Sequence, residues 1–474
     1  MIRTSGAMIV LSVGAGGLVL VSAASAAPAD AARFTPGAPG VGDPYFPDMG
    51  NGGYDVSHYD IALRYDPKTK GLAAVTTVTA RATQNLSRFD LDLVGLKVSS
   101  VKVDGHKAEY KRTGRQELVI TPRRGIHKNG RFTVTVAYGG VPQTSDDPEL
   151  GTSGWVPTRD GGVMANQPIG AATVFPVNDH PTDKATYSYT LSAPKGITTL
   201  ANGDLKGRVT KSGWTVSRWE MREPMASEVS MVAFGDFDVL TGRTGKGIPN
   251  LTATQRALGL KPEDAKQFFT MTGGIVEFEA SLFGRYPFSS TGGIVFKAGE
   301  IDPLETQGRP IYNMTDEAGP IPSRGLIAHE QGHQWFGDLV SPKRWADIWL
   351  NEGFATYAEW LYAERFEDEP VQDSFDEAYG TPADDDLWEG KVADPGRGQI
   401  FDDLVYDRGA MAIHMLRKSI GERTFYRLLK EWPASHRYGN ASTRDFIRFA
   451  EKLSGEDLKR WAATWLYSEG KPAL

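Results

Sequence analysis

The hydrophobic pattern of this chain changes period once, near Leu251, and that change constrains the fold more than any other feature of the sequence. Before it, from Tyr54 to about Leu240, short alternating runs such as YDIALRY, AVTTVTARA, FDLDLVGLKVSSVKV, QELVITP and RFTVTVAY are separated by Gly, Pro, Asn and Asp turns. A period of two puts alternate side chains on one face, so these runs predict an antiparallel β-domain. Beyond it, KPEDAKQFFTMTGGIVEFEASLF, GLIAHEQGHQWFG, DIWLNEGFATYAEWLYAERF and GAMAIHMLRKSI carry apolar residues three and four apart, the spacing of a helix face. Strands first and helices after predict an α+β multidomain chain, with a β-domain over 50–242 and a mostly helical domain over 243–474. No internal repeat interrupts that order.

The 474 residues, 40% hydrophobic and 23% charged, suffice for two or three domains with real cores. Residues 1–26 stand apart. Arg3 precedes an apolar run from Ala7 to Val21 and then Ala24-Ser25-Ala26, the pattern of a secretory signal cleaved after Ala26. The run is interrupted by Gly14, Gly16 and Gly17 and is too short for a membrane span, which needs about 20 residues. The mature protein is therefore expected to be secreted and extracellular, with no membrane anchor. Residues 27–49 are dense in Pro, Gly and Ala and read as a leader unable to order itself independently, with folded structure beginning near Tyr54.

The chain contains no cysteine, so its stability rests on its core and any metal rather than on disulfides. Its formal net charge is −7, and loss of Arg3, the only charged residue of the signal, makes it −8. That balance argues against nucleic acid or an anionic membrane as a partner. Two acidic stretches, FEDEP at 366–370 and ADDDLWEG at 383–390, read as exposed loops.

Chemistry concentrates in HEQGHQWFGD, 329–338. Residues four apart on a helix differ by about 40° around its axis, so His329 and His333 project from one face and can reach one ion. Glu330 lies about 100° further round, where a general base would act beside a metal. Two histidines on an apolar helix can also be hydrogen-bonded core residues, so the motif alone leaves both readings open. A third ligand shifts the balance, because catalytic zinc takes three protein ligands and keeps one position open. Eighteen residues after His333 stands Glu352, in the amphipathic stretch WADIWLNEGFATYAEW. Gly337 can end the first helix and Pro342 blocks its continuation, so a second helix could bring Glu352 against the first. The metzincin alternative requires glycine where Phe336 stands.

HEQGHQWFGD followed by the glutamate of WLNEGFA resembles the aminopeptidase N family of zinc peptidases, within the gluzincin group. The resemblance extends to QPIGAATVFPVNDHPTDKATYSYTLSAPKGITTLANG, FGRYPFSS, DPLETQGRPIY, VYDRGAMAIHMLR and DLKRWAATWLYSEGKPAL, which together cover most of residues 50–474. It implies a thermolysin-like catalytic domain holding one Zn2+ on His329, His333 and Glu352. It also implies Glu330 as general base on a zinc-activated water and Tyr406 as the donor that stabilises the oxyanion. Glu305 and Gln167 would bind the free α-amine of peptide substrates, making the enzyme an aminopeptidase; a zinc endopeptidase or another gluzincin hydrolase is the alternative. Tyr406, Glu305 and Gln167 have no signature of their own and take these roles only through the resemblance.

This sequence departs from the family pattern in several places. Asp302, Pro303, Leu304 and Thr306 replace Gly, Ala, Met and Asn around Glu305, and Pro303 has no N–H to offer a substrate. Val177 replaces a common cysteine and Ala172 a usual arginine. Large members continue into further C-terminal domains, so a chain ending at Leu474 is expected to have a more open cleft.

Overall fold

The strand Tyr54–Asp66 alternates buried and solvent-facing residues along its length. A bulge between Val56 and His58 returns Val56 and Tyr59 to the same face, which Ile61, Leu63 and Tyr65 continue inward. It sits in the middle of an eight-stranded sheet in the computed structural model of the chain, which describes residues 33–314 and 319–474. The expected signal segment, 1–26, lies outside the described residues.

In order, the sheet runs Asp204–Lys211, Trp214–Met225, Ala185–Pro194, Tyr54–Asp66, Gly71–Ala82, Arg131–Gly140, Lys97–Val103 and His106–Lys107. The expectation of a purely antiparallel domain fails at one seam, where Ala185–Pro194 lies parallel to Tyr54–Asp66. More than a hundred residues separate these two strands, so the chain has room to return in the same direction. Two smaller sheets share the core of the large one: Phe89, Leu91, Leu118 and Ile120 come from a four-stranded sheet, and Trp155, Val163, Leu200 and Phe234 from a five-stranded one.

A fourth sheet was not anticipated. Phe237–Arg243, Pro249–Gln255, Thr291–Phe296 and Ile311–Asn313 pair in that order, the first two antiparallel and the rest parallel. The expected boundary at 242–243 falls inside the first of these strands, so a division by sheets lies before Phe237. Helix α1 (Pro262–Phe283) packs Phe268 and Ile275 against Val295 and Tyr312 of this sheet.

The remaining helices are α2 (Arg324–Gly332), α3 (Trp349–Phe366), α4 (Val371–Gly380), α5 (Asp403–Ile420), α6 (Glu422–Ser435), α7 (Thr443–Ser454) and α8 (Lys459–Trp465). Their core is rich in aromatics; Phe336 and Phe354 stack with ring centroids 4.4 Å apart. α3 and α5 approach closely at Gly353 and Gly409. A Cβ on Gly353 would stand 2.9 Å from the carbonyl carbon of Gly409, so only glycine lets the two helices cross there.

The Pro/Gly-rich leader is folded structure from residue 34 onward, within the same compact unit as the rest of 34–474. Asp43 accepts a hydrogen bond from the Trp345 N–H at 2.9 Å, and its Oδ2 lies 3.4 Å from His180 Nε2. Phe46 and Met49 are buried in the helical core, Phe46 edge-on to Trp345. Folded structure therefore begins earlier than the expected Tyr54, because this segment packs on surfaces supplied by the rest of the chain. The two acidic stretches are exposed, apart from Leu387 and Trp388, which turn inward.

Candidate metal centre

The Ser323 hydroxyl accepts a hydrogen bond from the Leu326 N–H at 3.1 Å and caps the start of α2. The regular helix ends at Gly332, earlier than Gly337. His333 nevertheless keeps helical dihedrals and donates its N–H to the His329 carbonyl at 3.2 Å, so the four-residue relation between the histidines survives. Gly337 follows at φ +134°, and Val340–Pro342 forms a short strand parallel to Gly439–Ala441. The chain then enters α3, whose first turn carries Glu352.

His329, His333 and Glu352 meet there, all buried, with one ligand atom of each within 4.8 Å of the others. Glu352 Oε2 lies 3.5 Å from His329 Nε2 and 3.3 Å from His333 Nε2. Tetrahedral zinc with bonds of about 2.0 Å spaces its ligand atoms by roughly 3.3 Å. The outer nitrogens are engaged elsewhere: His329 Nδ1 bonds Glu359 Oε1 at 2.7 Å, and His333 Nδ1 bonds the Phe336 carbonyl at 3.0 Å. Those partners orient both rings so that the Nε2 atoms face the centre.

The electrostatics point the same way. Burial works against charge on His333, but Glu352 and Glu305 outweigh it and raise its pKa to about 9. Burial would likewise raise Glu352, yet His333 and His329 draw it down to about 2. The pocket thus stabilises positive charge where the three side chains converge. Glu352 Oε1 and Glu330 Oε2 are buried without a hydrogen-bond partner among the described residues. Converging donors, a stabilised positive charge and orphaned carboxylate oxygens fit a zinc ion.

The seven residues singled out from the sequence line one cavity of about 430 Å3. Burial, helped by Glu305 and Glu352, pushes the Glu330 carboxyl up to about 8. Tyr406, on α5, stacks beside His329 with ring centroids 5.7 Å apart. Burial and the carboxylates of Glu352, Glu305 and Glu330 hold its phenol well above the usual range, so it stays a donor. Gln167, from the β-part, donates its Nε2 to Glu305 Oε1 at 2.7 Å.

Two residues of this arrangement were missed. Glu359 stands seven residues after Glu352, two turns along the same face of α3, and that spacing was a usable signal. Gln334 gave none, because it acts on backbone. Its Nε2 donates to the Glu305 carbonyl at 3.2 Å, and its Oε1 accepts from the Gly308 N–H at 2.6 Å, which ties the Glu305 loop to the segment bearing His333.

Comparison with known proteins bears on this geometry. Residues 322–465 match the Peptidase family M1 domain and residues 56–229 the Peptidase M1 N-terminal domain. The chain is 30% identical over 338 residues to tricorn protease-interacting factor F2 of Thermoplasma volcanium, covering 67% of this chain and 42% of that protein. It is 28% identical over 328 residues to aminopeptidase N of Lactococcus lactis subsp. lactis, covering 64% and 38%. The chain spans about half the length or less of the curated relatives it matches. Among solved structures, an M1 zinc metallopeptidase from Deinococcus radiodurans superposes with a TM-score of 0.83 at 27% identity, covering 92% of this chain and 98% of that one. A mutant of the Deinococcus enzyme, bound to a Tyr-Ser-Ala substrate, gives 0.82 at the same identity and covers the same shares of both chains.

Proposed function

Because the chain belongs to peptidase family M1, the aminopeptidase N family of zinc peptidases, we propose that it removes residues one at a time from the free N-termini of peptides. The observation that carries this reading is the Gln167–Glu305 pair, which lines the same cavity as His329, His333 and Glu352. Relatives named aminopeptidases and the peptide-bound Deinococcus structure support it.

His329, His333 and Glu352 would hold the zinc ion, which would supply a Lewis acid for the peptide carbonyl and for lowering the pKa of a water. Glu330, buried in the same cavity and one residue after His329, is placed to take a proton from the attacking water and return it to the leaving amine. Tyr406 donates its phenol proton in a hydrogen bond to the oxygen that becomes negative. Gln167 spends its amide N–H on Glu305, which leaves its carbonyl oxygen and the second Glu305 oxygen to accept from the substrate ammonium.

A blocked N-terminus removes that ammonium and leaves the Glu305 carboxylate unpaired, at a cost on the order of 1–3 kcal/mol. One ten-residue peptide, free and N-acetylated, is incubated with the zinc-loaded enzyme and followed by mass spectrometry. The free form is expected to shorten by single residues and the acetylated form to persist. Internal cleavage of the acetylated form at a comparable rate would replace this reading with that of a zinc endopeptidase. We also propose export, on the strength of the signal pattern in 1–26; N-terminal sequencing of protein from the culture medium is expected to begin at Ala27.

A further inference from the structure

Two parts of the chain wall the cavity around the candidate metal centre. Leu150, Thr152 and Gln167 line it from the β-part, and Phe401 and Tyr406 from α5 and the approach to it. Leu150 and Thr152 belong to the hairpin formed by Thr144–Asp147 and Gly151–Pro157. That hairpin is joined to the Gln167 segment, because the Ser153 hydroxyl donates at 2.8 Å to the carbonyl of Ile169, two residues beyond Gln167.

Arg397 fastens one wall to the other. It stands in the turn Arg397–Gln399 that leads into α5, and its guanidinium donates to Asp147 Oδ1 at 3.2 Å, to Asp147 Oδ2, and to Glu149 Oε2 at 2.6 Å. The Phe46 ring lies against the guanidinium, its centroid 5.0 Å from Cζ. Tyr45 holds the same loop a second time: its hydroxyl accepts from the Gly396 N–H at 2.9 Å and donates to Asp394 Oδ1 at 2.5 Å. The side chain of Arg397 is 32% exposed and that of Asp147 14%, and the hydrogen bonds from Arg397 hold the Asp147 carboxyl below its usual range. A guanidinium shared by two carboxylates and backed by a ring is a fixed fork, unlike a lone surface charge. None of Arg397, Asp147 and Glu149 lines the cavity, so any effect they have on turnover passes through the walls they join.

We propose that Arg397 is a positioning residue for the reaction: by clasping the hairpin at Asp147 and Glu149 it sets the spacing between the Gln167 wall and Tyr406. The inference rests on the aminopeptidase reading, in which one substrate spans both walls, with its amine at Gln167 and Glu305 and its carbonyl beside Tyr406. A misplacement of about 1 Å can cost on the order of a hundredfold in rate, and release of one clasp among several contacts is expected to cost about tenfold.

The test uses the zinc-loaded full chain and the aminomethylcoumarin amide of leucine, at a temperature where every variant is fully folded. In Arg397→Ala kcat is expected to fall about tenfold and KM to change by less than about threefold, with zinc content unaltered because the candidate ligands lie on or beside α2 and α3. Arg397→Lys, a point charge that cannot fork between two carboxylates, is expected to fall between the two. The chain has no cysteine, and a Cβ on Gly398 would stand 3.7 Å from the Glu149 Cβ, within the span of a disulfide. Glu149→Cys/Gly398→Cys in the Arg397→Ala background is therefore expected to recover kcat to within about threefold of the unmodified enzyme when oxidised, and to lose it again on reduction. An Arg397→Ala enzyme that loses its zinc or keeps kcat within about twofold, or a cross-link that forms without restoring the rate, overturns this proposal and leaves the aminopeptidase reading standing. Internal cleavage of an acetylated peptide with no turnover of the leucine amide overturns both.

Discussion

Tyr406 is a half-buried phenol beside His329 whose proton is held by burial and by three neighbouring carboxylates. Replacing it with Phe removes one donor and little else. Loss of a single such donor costs on the order of a hundred- to a thousandfold in kcat, so Tyr406→Phe is expected to keep its zinc and its fold and to lose kcat far more than KM. Glu330→Gln, which keeps size but removes the base, is expected to behave alike. Steady-state kinetics with elemental analysis measures both, and a Tyr406→Phe enzyme within a few-fold of wild type takes Tyr406 out of the mechanism. His329→Ala, His333→Ala and Glu352→Ala are expected to lose the metal itself, and chelation of the unmodified enzyme to abolish activity until zinc is returned. Full zinc content in all three variants would refute the ligand set. These ligands were legible in the sequence because helical spacing converts directly into a shared face. Glu305 and Gln167 were legible only by resemblance, since their partnership joins residues 138 positions apart and leaves no local pattern.

At the scale of elements, α3 and α5 meet through Gly353 and Gly409, and each glycine adjoins a site residue: Glu352 precedes Gly353, and Tyr406 stands three residues before Gly409. The helix crossing therefore sets the distance between a candidate zinc ligand, Glu352, and Tyr406, the proposed oxyanion donor. Gly353→Ala is expected to push the helices apart, destabilise the fold by about 1–3 kcal/mol through overpacking and lower kcat beyond what the stability loss explains. Chemical denaturation together with kcat at a temperature where the variant is fully folded measures this; an unchanged kcat would show that the crossing does not position the site. The long helices were legible from their periodicity: α1 and α3 run close to where the pattern placed them, whereas α5 begins at Asp403, six residues before the periodic stretch 409–420, and so includes Tyr406. The strand Thr291–Phe296 was not. Its TGG start reads as a chain breaker, but a Cβ on Gly292 would fall 1.7 Å from the Leu251 carbonyl oxygen, so the glycine is there to let the neighbouring strand approach. Every residue of that strand is buried, which removes the alternation by which strands are recognised.

Over the whole molecule, the segment from Asp43 to Met49 joins surfaces that the sequence suggested were separate. Asp43 touches His180 of the β-part and Trp345 of the helical part, and Phe46 enters the helical core. Composition could not reveal this, because the segment has no core of its own and borrows one. Phe46→Ala is expected to cost about 3–5 kcal/mol, the range for deleting a buried aromatic ring. A shift below about 1 kcal/mol, measured by urea unfolding, would mean the segment merely rests on the surface. The tie through Gln334 has a different kind of consequence. The loop that presents Glu305 is fastened to the residue after His333, so the proposed amine anchor and the candidate metal ligands are referenced to one stretch of backbone. For the proposed aminopeptidase, the distance from the bound amine to the bond to be cut is thus marked off along one stretch of backbone, like the gradations of a ruler.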